Sequence, residues 1–414
     1  MRTITMLLLV LLLSLASAQP ERIMHELGLD LENATIPTDE ILSGGPPPQG
    51  IPALGFAGLT GVAGPTPMPK FIPQDEAADW LRPIEPVIVV TLNDETKAYP
   101  LQILTWHEIA NDEIGGVPVA VTFCPLCNSA LAFDRRVPVP SQAPVRGDRE
   151  DAPEQREVEG TPSEAEGQGV EETITVTFGV SGLLYLSNLL MFDDRTHTLW
   201  SQLVGEGEVG AFAGHELTRY PAQILSFEEF RAAFPEALVM SRETGFNRSY
   251  GNNPYAGYDD ADSPPFLFQG TVDGRLPPKA RVVTIDADEP AAYPFERLEV
   301  ERVVHDEISG SEIVVFWTPG TASALDARQI SAGSDVGAVA VFERNVDGKT
   351  LTFEWDGEAF VDQETGTRWN MLGQGLEGSL AGEQLEPVVH DNTLWFAWAA
   401  FRPDTRIYQG AEQP

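Results

Sequence analysis

An internal repeat constrains the fold of this chain more than any other feature of its sequence. Residues 89–101 match residues 283–295 without a gap, and each stretch contains a β-rich run, a turn and a Tyr-Pro pair. A constant offset over more than forty positions indicates that one structural unit occurs twice. Other stretches keep the pattern, namely 111–116 with 305–310, 129–131 with 323–325 and, after an insertion, 193–200 with 362–369.

The residue pattern inside the unit predicts short strands and short helices. A turn at Asn93-Asp94-Glu95 between two apolar runs predicts a hairpin, and Pro100 to Trp106 predicts a short helix that begins at proline. The apolar run Val117 to Phe123 predicts a strand that ends at Cys124. We expect an α+β fold of mostly antiparallel strands, formed by a tandem duplication of one β-rich unit. Further strands are expected at 129–135, 173–178, 189–192 and 198–202, and a helix at 227–233.

The domain organisation follows from the repeat and from shifts in composition. Repeat one is expected at 87–247 and repeat two at 282–414, and an aromatic linker at 248–281 is expected to pack against the body. Pro- and Gly-rich sequence at 19–86 predicts an extended arm on the globular body. A Pro-, Glu- and Gln-rich stretch at 137–172 predicts a disordered acidic insert.

The N-terminus predicts export. Arg2 precedes an apolar run, and Ala16-Ser17-Ala18 provides a small-residue cleavage site, so residues 1–18 read as a signal peptide. We expect a periplasmic or extracellular protein without an integral membrane segment after signal cleavage. The 63 acidic and 26 basic residues give a net charge of −37, which argues against nucleic acid as a partner.

The two cysteines of the chain lie together in Cys124-Pro125-Leu126-Cys127. A Cys-x-x-Cys pair can be a reducible disulfide, part of a metal site or a static clip. In an exported protein two close thiols oxidise unless a reductant or a metal holds them. The spacing alone leaves these three alternatives open.

The repeat provides a comparison that favours function at this pair. Cys124 and Cys127 fall on Thr318 and Thr321, and His107 falls on a glutamate, so the second repeat lacks the Cys/His chemistry. A clip required by the fold would be needed in both copies. We therefore expect Cys124, Cys127 and His107 to form a catalytic site, in which His107 lowers a thiol pKa or moves a proton.

Polar and aromatic residues near strand ends are expected to line the same pocket. They are Ser129, Ser181, Tyr185, Asn188, Trp200, Ser201 and Gln202. Asp112 and Asp193, by contrast, occur in both repeats, as Asp306 and Asp362. Because they persist where the thiols are absent, we expect them to brace turns.

Several motifs together resemble a known family. They are Trp106 to Asp112, Phe123 to Phe133, Phe178 to Tyr185, Asp193 to Gln202 and Asn253-Pro254-Tyr255-Ala256-Gly257-Tyr258. This set resembles the prokaryotic family catalogued as domain of unknown function 3179, some members of which are selenoproteins. If the selenocysteine of those members matches Cys124 or Cys127, the resemblance implies redox chemistry at this pair.

These observations lead to three functional hypotheses. The first is an exported thiol-dependent oxidoreductase that needs no cofactor and reacts with a small-molecule or protein thiol or disulfide. The second is a protein that binds one copper or zinc ion through Cys124, Cys127 and His107. The third is a binding or scaffold protein in which the cysteines form a structural disulfide.

Overall fold

The structure is a computed structural model that describes residues 19–139 and 172–410. About 38% of it is strand and 13% helix, so the expected mostly antiparallel β architecture with short helices is confirmed. Within the described ranges, no helix has the length and apolar character needed to cross a membrane. The predicted signal peptide at 1–18 and most of the predicted acidic insert lie outside the described residues.

The elements of the first half alternate short strands with four helices. The helices are α1 at 19–26, α2 Gln74–Ala77, α3 Leu101–His107 and α4 Phe227–Ala233. The strands are β1 Leu42–Ser43, β2 Phe71–Ile72, β3 Pro86–Leu92, β4 Glu95–Pro100, β5 Ile109–Ile114, β6 Val117–Cys124, β7 Ser129–Asp134, β8 Arg136–Pro138, β9 Thr173–Thr175, β10 Phe178–Tyr185, β11 Asn188–Asp193, β12 Leu199–Ser201, β13 Gly207–Val209, β14 Arg219–Tyr220, β15 Gln223–Ser226 and β16 Leu238–Met240.

The second half begins after the linker and uses the same kinds of element. Its helices are α5 Phe295–Glu301 and α6 Trp395–Phe401. Its strands are β17 Arg281–Ile285, β18 Ala291–Pro294, β19 Val303–Ile308, β20 Ser311–Thr318, β21 Ala338–Glu343, β22 Asn345–Val346, β23 Lys349–Thr350, β24 Phe353–Trp355, β25 Phe360–Asp362, β26 Arg368–Trp369, β27 Gly375–Glu377, β28 Asp391–Leu394 and β29 Arg406–Ile407.

Three sheets of the first half have counterparts of the same strand order in the second half. The order β15-β3-β4-β16 matches β28-β17-β18-β29, and in both sheets the last pair is parallel. The order β5-β6-β7 matches β19-β20-β21. The order β10-β11-β12-β13 matches β24-β25-β26-β27.

The sequence match between the halves is wrong in two details. Tyr99 faces Ile88 across its hairpin whereas Tyr293 faces Val283, so the first strand is shifted by one residue relative to the ungapped match. Residues 323–325, matched by sequence with the start of β7, lie in the loop between β20 and β21. A three-residue match was too short to fix the position of that strand, which in fact begins at Ala338.

The predicted arm is packed onto the body and is not extended throughout. Residues 19–26 are helical, and Ile23, Met24 and Leu27 lie in the core formed with β10, β11 and β12. Farther along, Leu54 N donates to Ile109 O at 2.8 Å, which ties the arm to β5. Apolar side chains that the first half can bury explain why this Pro- and Gly-rich segment is ordered.

Two paired strands, β8 and β9, lie at the two ends of the predicted insert. Val137 in β8 pairs with Ile174 in β9, so the insert is bounded more narrowly than 137–172. The intervening residues 140–171 lie outside the described part of the chain. The expectation of disorder there stays a prediction.

The two repeated aspartates have different roles. Asp193 accepts hydrogen bonds from the turn that follows β11 and from Trp200 Nε1 at 3.0 Å, and Asp362 receives the same set, including Trp369 Nε1 at 2.9 Å. These carboxylates brace turns, as expected. Asp112, in contrast, lies within β5 and accepts hydrogen bonds from Lys97 Nζ and Tyr99 OH, so it joins two hairpins and braces no turn.

Candidate functional site

The two cysteines occupy the connection between β6 and β7. Cys124 is the last residue of β6 and faces Ser129, the first residue of β7. Cys127 N donates to Cys124 O at 3.1 Å, which closes a turn, and Asn128 has a φ of 54°. Asparagine is one of the residues that tolerates this left-handed conformation. The local sequence therefore holds both sulfur atoms on the same side of one tight turn.

Both cysteines are free thiols, and both are buried. Their exposed fractions are 1% for Cys124 and 0% for Cys127, and the two side chains are close enough to interact with each other. Burial raises the pKa of Cys127 well above its ordinary value, and the neighbouring Cys124 raises it further. Cys127 is thus a neutral thiol at neutral pH.

Four of the seven predicted lining residues form one buried network with the thiols. Asn188 Nδ2 donates to Cys127 Sγ at 3.4 Å and to Gln202 Oε1 at 3.3 Å. Ser201 Oγ donates to Asn188 Oδ1 at 3.1 Å, and Gln202 Nε2 contacts Ser129 O at 3.4 Å. The hydrogen bond from Asn188 favours a thiolate at Cys127 and partly opposes the effect of burial.

The other three predicted lining residues have structural roles. Ser181 Oγ donates to Leu190 O and accepts from Leu183 N inside the irregular β10–β11 pairing. Tyr185 packs edge-on against Phe401, with 6.0 Å between ring centroids. Trp200 is buried in the same hydrophobic cluster as the cysteines, and its indole N–H donates to Asp193 and not to a thiol. Position near a strand end was not enough to identify a residue of the site.

The hydrogen bonds of His107 lead elsewhere. Nδ1 lies 2.7 Å from Pro52 O, and Nε2 lies 2.6 Å from the hydroxyl of Tyr250. Burial lowers the pKa of His107 to about 4, so the ring is neutral at pH 7. Nδ1 is thus hydrogen-bonded to the arm, and Nε2 is hydrogen-bonded to the linker. The structure does not bring His107 together with the cysteines through any of its hydrogen bonds.

Glu108, the next residue, lies at the site instead. Its carbonyl accepts from Phe123 N at 2.7 Å, which places it beside the end of β6. Its side chain is buried, and Tyr255 OH donates to Oε1 at 3.3 Å. Tyr255 interacts electrostatically with both Glu108 and Cys124. Burial raises the pKa of Glu108 to about 7, so this carboxyl can exchange a proton near neutral pH.

A second buried carboxyl approaches the turn from the other half of the chain. Ala130 N donates to Asp391 Oδ1 at 2.9 Å, and burial raises the pKa of Asp391 to about 7. Ser129 Oγ lies close enough to favour the charged form of Asp391, although it makes no hydrogen bond of normal geometry. Asp391 Oδ2 and Asn392 Oδ1 are likewise buried without a hydrogen-bond partner. Such atoms are rare in folded proteins and mark this side of the turn as incompletely satisfied.

Strand β28 also anchors the turn through the backbone. Leu394 N donates to Cys127 O at 2.8 Å, and Thr393 Oγ1 donates to the same carbonyl at 2.9 Å. Asn128 Nδ2 donates to Asn392 O at 3.0 Å. A turn that belongs to the first half is therefore completed by the second half.

The linker covers the thiols from outside. Tyr255 and Tyr258 pack against the apolar core of the first half, and Tyr258 interacts electrostatically with both cysteines. Lys279 Nζ lies 3.7 Å from the centroid of the Tyr258 ring and donates to Tyr258 O at 2.6 Å. The linker tyrosines pack as expected, whereas Phe266 is 51% exposed.

The structure offers no third ligand beside the two thiols. Among the described residues, no group of three or more His, Cys, Asp or Glu side chains could hold a metal ion. Cys124 and Cys127 lie together, but His107 makes its hydrogen bonds to other groups. The expected copper or zinc set of these three residues therefore gains no geometric support.

The motifs around this turn belong to one family. A family described as "Protein of unknown function (DUF3179)" matches residues 48–405, which is most of the chain. The chain belongs to the DUF3179 family. No curated protein and no solved structure matches it significantly. The DUF3179 region includes the thiol turn, Glu108, the linker tyrosines and Asp391, so the whole site lies within the family match.

Sequence reasoning missed three groups of this DUF3179 site. Glu108 falls on Arg302 in the second repeat, so the comparison that singled out His107 also marked Glu108. Tyr255 was part of a linker motif that carried the family resemblance, but nothing in that motif placed it beside the thiols. Asp391 had no local signal, because it reaches the turn from a position 261 residues beyond Ala130.

Proposed function

We propose that this chain is a thiol redox protein in which Cys124 and Cys127 alternate between a dithiol and a disulfide. The observation that carries the proposal is the pair of free thiols within reach of each other, set among buried polar groups of the same turn. A closed disulfide requires the sulfur atoms to approach to bonding distance, which a Cys-x-x-Cys turn permits. The activity class is a thiol/disulfide oxidoreductase.

The reaction balances without a bound cofactor. A thiolate of the pair attacks one sulfur of an external disulfide. The other sulfur leaves as a thiolate, which takes up a proton. The second cysteine of the pair then attacks the mixed disulfide, which forms the Cys124–Cys127 bond and releases the second thiol. The pair loses two electrons and two protons, and the external disulfide gains them.

Two buried carboxyls are suited to the proton transfers. With pKa values of about 7, Glu108 and Asp391 can each accept or donate a proton at neutral pH. Tyr255 connects Glu108 with the surroundings of Cys124. We assign the proton exchange to these carboxyls and not to His107, because both nitrogens of that ring have other partners.

Burial of the pair favours a small reactant. Both thiols are almost fully covered by the linker and by β28, so a folded protein disulfide reaches them only if that cover moves. A small disulfide or a peroxide needs less movement. With a peroxide, a thiolate becomes a sulfenic acid as the alcohol or water leaves, and the second thiol condenses with it to give the disulfide and water.

The proposal is tested by the consumption of small oxidants. The reduced protein should consume oxidised glutathione or hydrogen peroxide, and Cys124→Ser and Cys127→Ser should each abolish disulfide formation. Because the pKa of Cys127 is raised, the rate should increase as the pH rises above the ordinary thiol range. The proposal would be wrong if both variants consumed these oxidants as fast as the unmodified protein. Elemental analysis of the same sample distinguishes it from the copper or zinc alternative.

Two broader proposals accompany this function. We propose that the chain arose by tandem duplication, which is supported by three sheets of matching strand order. We also propose that it works outside the cytoplasm, as the sequence of residues 1–18 indicates. An exported location would supply the oxidising environment in which the pair cycles.

A further inference from the structure

A cavity between α4 of the first half and the strands of the second half lies at the position that corresponds to the thiol turn. Strand β20 ends at Thr318, which faces the first residue of β21, just as Cys124 at the end of β6 faces the first residue of β7. Beside Thr318, the contact comes from the side chain of Glu229 in α4. Beside Cys127, it comes from the backbone of β28, the strand that precedes α6. The thiol turn is closely packed, but beside Thr318 the chain leaves a cavity of about 280 Å³.

The walls of this cavity are mainly apolar and aromatic. Trp355, Phe360 and Trp369 line it together with Met371, and Trp355 lies 4.9 Å from Phe360 between ring centroids. Phe360 is held in place by stacking on Phe316, with 3.9 Å between centroids. Rings fixed in this way provide flat surfaces that favour a planar apolar molecule.

One carboxylate stands inside this apolar lining. Thr318 Oγ1 donates to Glu229 Oε1 at 2.8 Å, whereas Oε2 accepts from both Ser226 N at 3.4 Å and Ser226 Oγ at 3.1 Å, so Oε1 is the oxygen atom that keeps further acceptor capacity. Burial raises the pKa of Glu229, so the hydrogen bonds to its carboxylate do not fully offset the cost of burying the negative charge. Thr321, which interacts with the same carboxylate, has a buried hydroxyl without a hydrogen-bond partner of normal geometry.

The charge of the lining restricts the ligand. Glu229 and Glu358 line the cavity, and none of the described residues that line it is basic. Arg368 lies near the rim but already pairs with Asp356 and Glu358. An anionic ligand would be repelled here, whereas a cationic group would offset the cost of burying Glu229.

We propose that this cavity binds a small aromatic amine, with its ring between the tryptophans and its ammonium group at Glu229. The ammonium donates to the free lone pair of Glu229 Oε1, and the ring replaces water against Trp355 and Trp369. Binding involves no covalent step and does not require Cys124 or Cys127. The turn after β6 thus has a thiol pair, and the corresponding place after β20 has a ligand site that α4 of the first half helps to form.

The proposal is tested with 2-phenylethylamine as the probe, by calorimetric titration of the full chain. Benzyl alcohol and phenylacetate serve as the neutral and anionic counterparts. We expect saturable binding of the amine, binding of the alcohol at least about tenfold weaker, and no binding of phenylacetate, because only the amine carries a positive charge that pairs with the carboxylate.

Variants separate the site from a general attraction to an acidic protein. Glu229→Gln keeps the hydrogen bonds that cap α4, since Gln also serves in a capping box, and it should weaken amine binding at least about tenfold. Glu228→Gln removes the same charge from an exposed neighbour and should leave binding unchanged. Ala232→Trp, which fills the cavity mouth, should abolish binding. Absence of amine binding to the unmodified chain would overturn the proposal. Binding to Glu229→Gln and Ala232→Trp that equals binding to the unmodified chain would also overturn it.

Discussion

At the scale of single residues, burial acts in opposite directions on two neighbours in the chain. It lowers the pKa of His107 to about 4 and raises the pKa of Glu108 to about 7. In both cases the charged form is disfavoured, because neither side chain has a compensating opposite charge. Only Glu108 titrates near neutral pH, and it lies next to the thiol turn.

His107 should stabilise the fold and leave the thiols unaffected. His107→Ala removes the two hydrogen bonds to Pro52 O and Tyr250 OH, and we expect it to lower the free energy of unfolding by about 2–4 kcal/mol. The pKa values of the cysteines, measured by the pH dependence of alkylation, should not change. A large shift of a thiol pKa without loss of stability would instead support the direct role predicted from the sequence.

Glu108 should make stability depend on pH. Its pKa is about 7 in the folded chain against an ordinary 4.5, so the folded state binds more protons between these values. The stability of the wild type relative to Glu108→Gln should therefore fall as the pH rises from about 4.5 to about 7, by up to about 3 kcal/mol. Urea unfolding of both proteins across this range measures the difference. A difference that stays constant with pH would contradict the assignment.

At the scale of elements, two turns are built in the same way around one carboxylate. Asp193 and Asp362 each accept hydrogen bonds from a threonine side chain, from backbone amides and from the indole of a buried tryptophan. Each tryptophan in turn lies in a buried hydrophobic cluster. The turn chemistry and the core packing are therefore coupled in both halves.

Replacement of either carboxylate should lower the stability of the fold to a similar extent. Asp193→Ala and Asp362→Ala each leave a buried indole N–H without an acceptor, and we expect each to lower the free energy of unfolding by about 2–4 kcal/mol. Asp79→Ala, at an exposed position, should change stability by less than about 0.5 kcal/mol. Denaturant unfolding gives the comparison. If only one of the two buried changes destabilises the protein, the turns are not equivalent.

At the scale of the whole molecule, local patterns were predictable and long-range contacts were not. The hairpin at Asn93-Asp94 and the helix Phe227–Ala233 follow from signals within a few residues, and the structure confirms both. The helix at 19–26 was missed, because its apolar side chains acquire their partners only in the folded core. Asp391 reaches the thiol turn from the other half of the chain, which no local pattern encodes.

The central claim is that Cys124 and Cys127 form a reversible redox pair, and a redox titration tests it most directly. The intact chain is equilibrated with mixtures of oxidised and reduced glutathione and then unfolded in an alkylating reagent, and its mass is determined by mass spectrometry. We predict that both thiols disappear together in one two-electron step and return on reduction. Two thiols that remain free in every mixture, or that oxidise and do not return, would contradict the account.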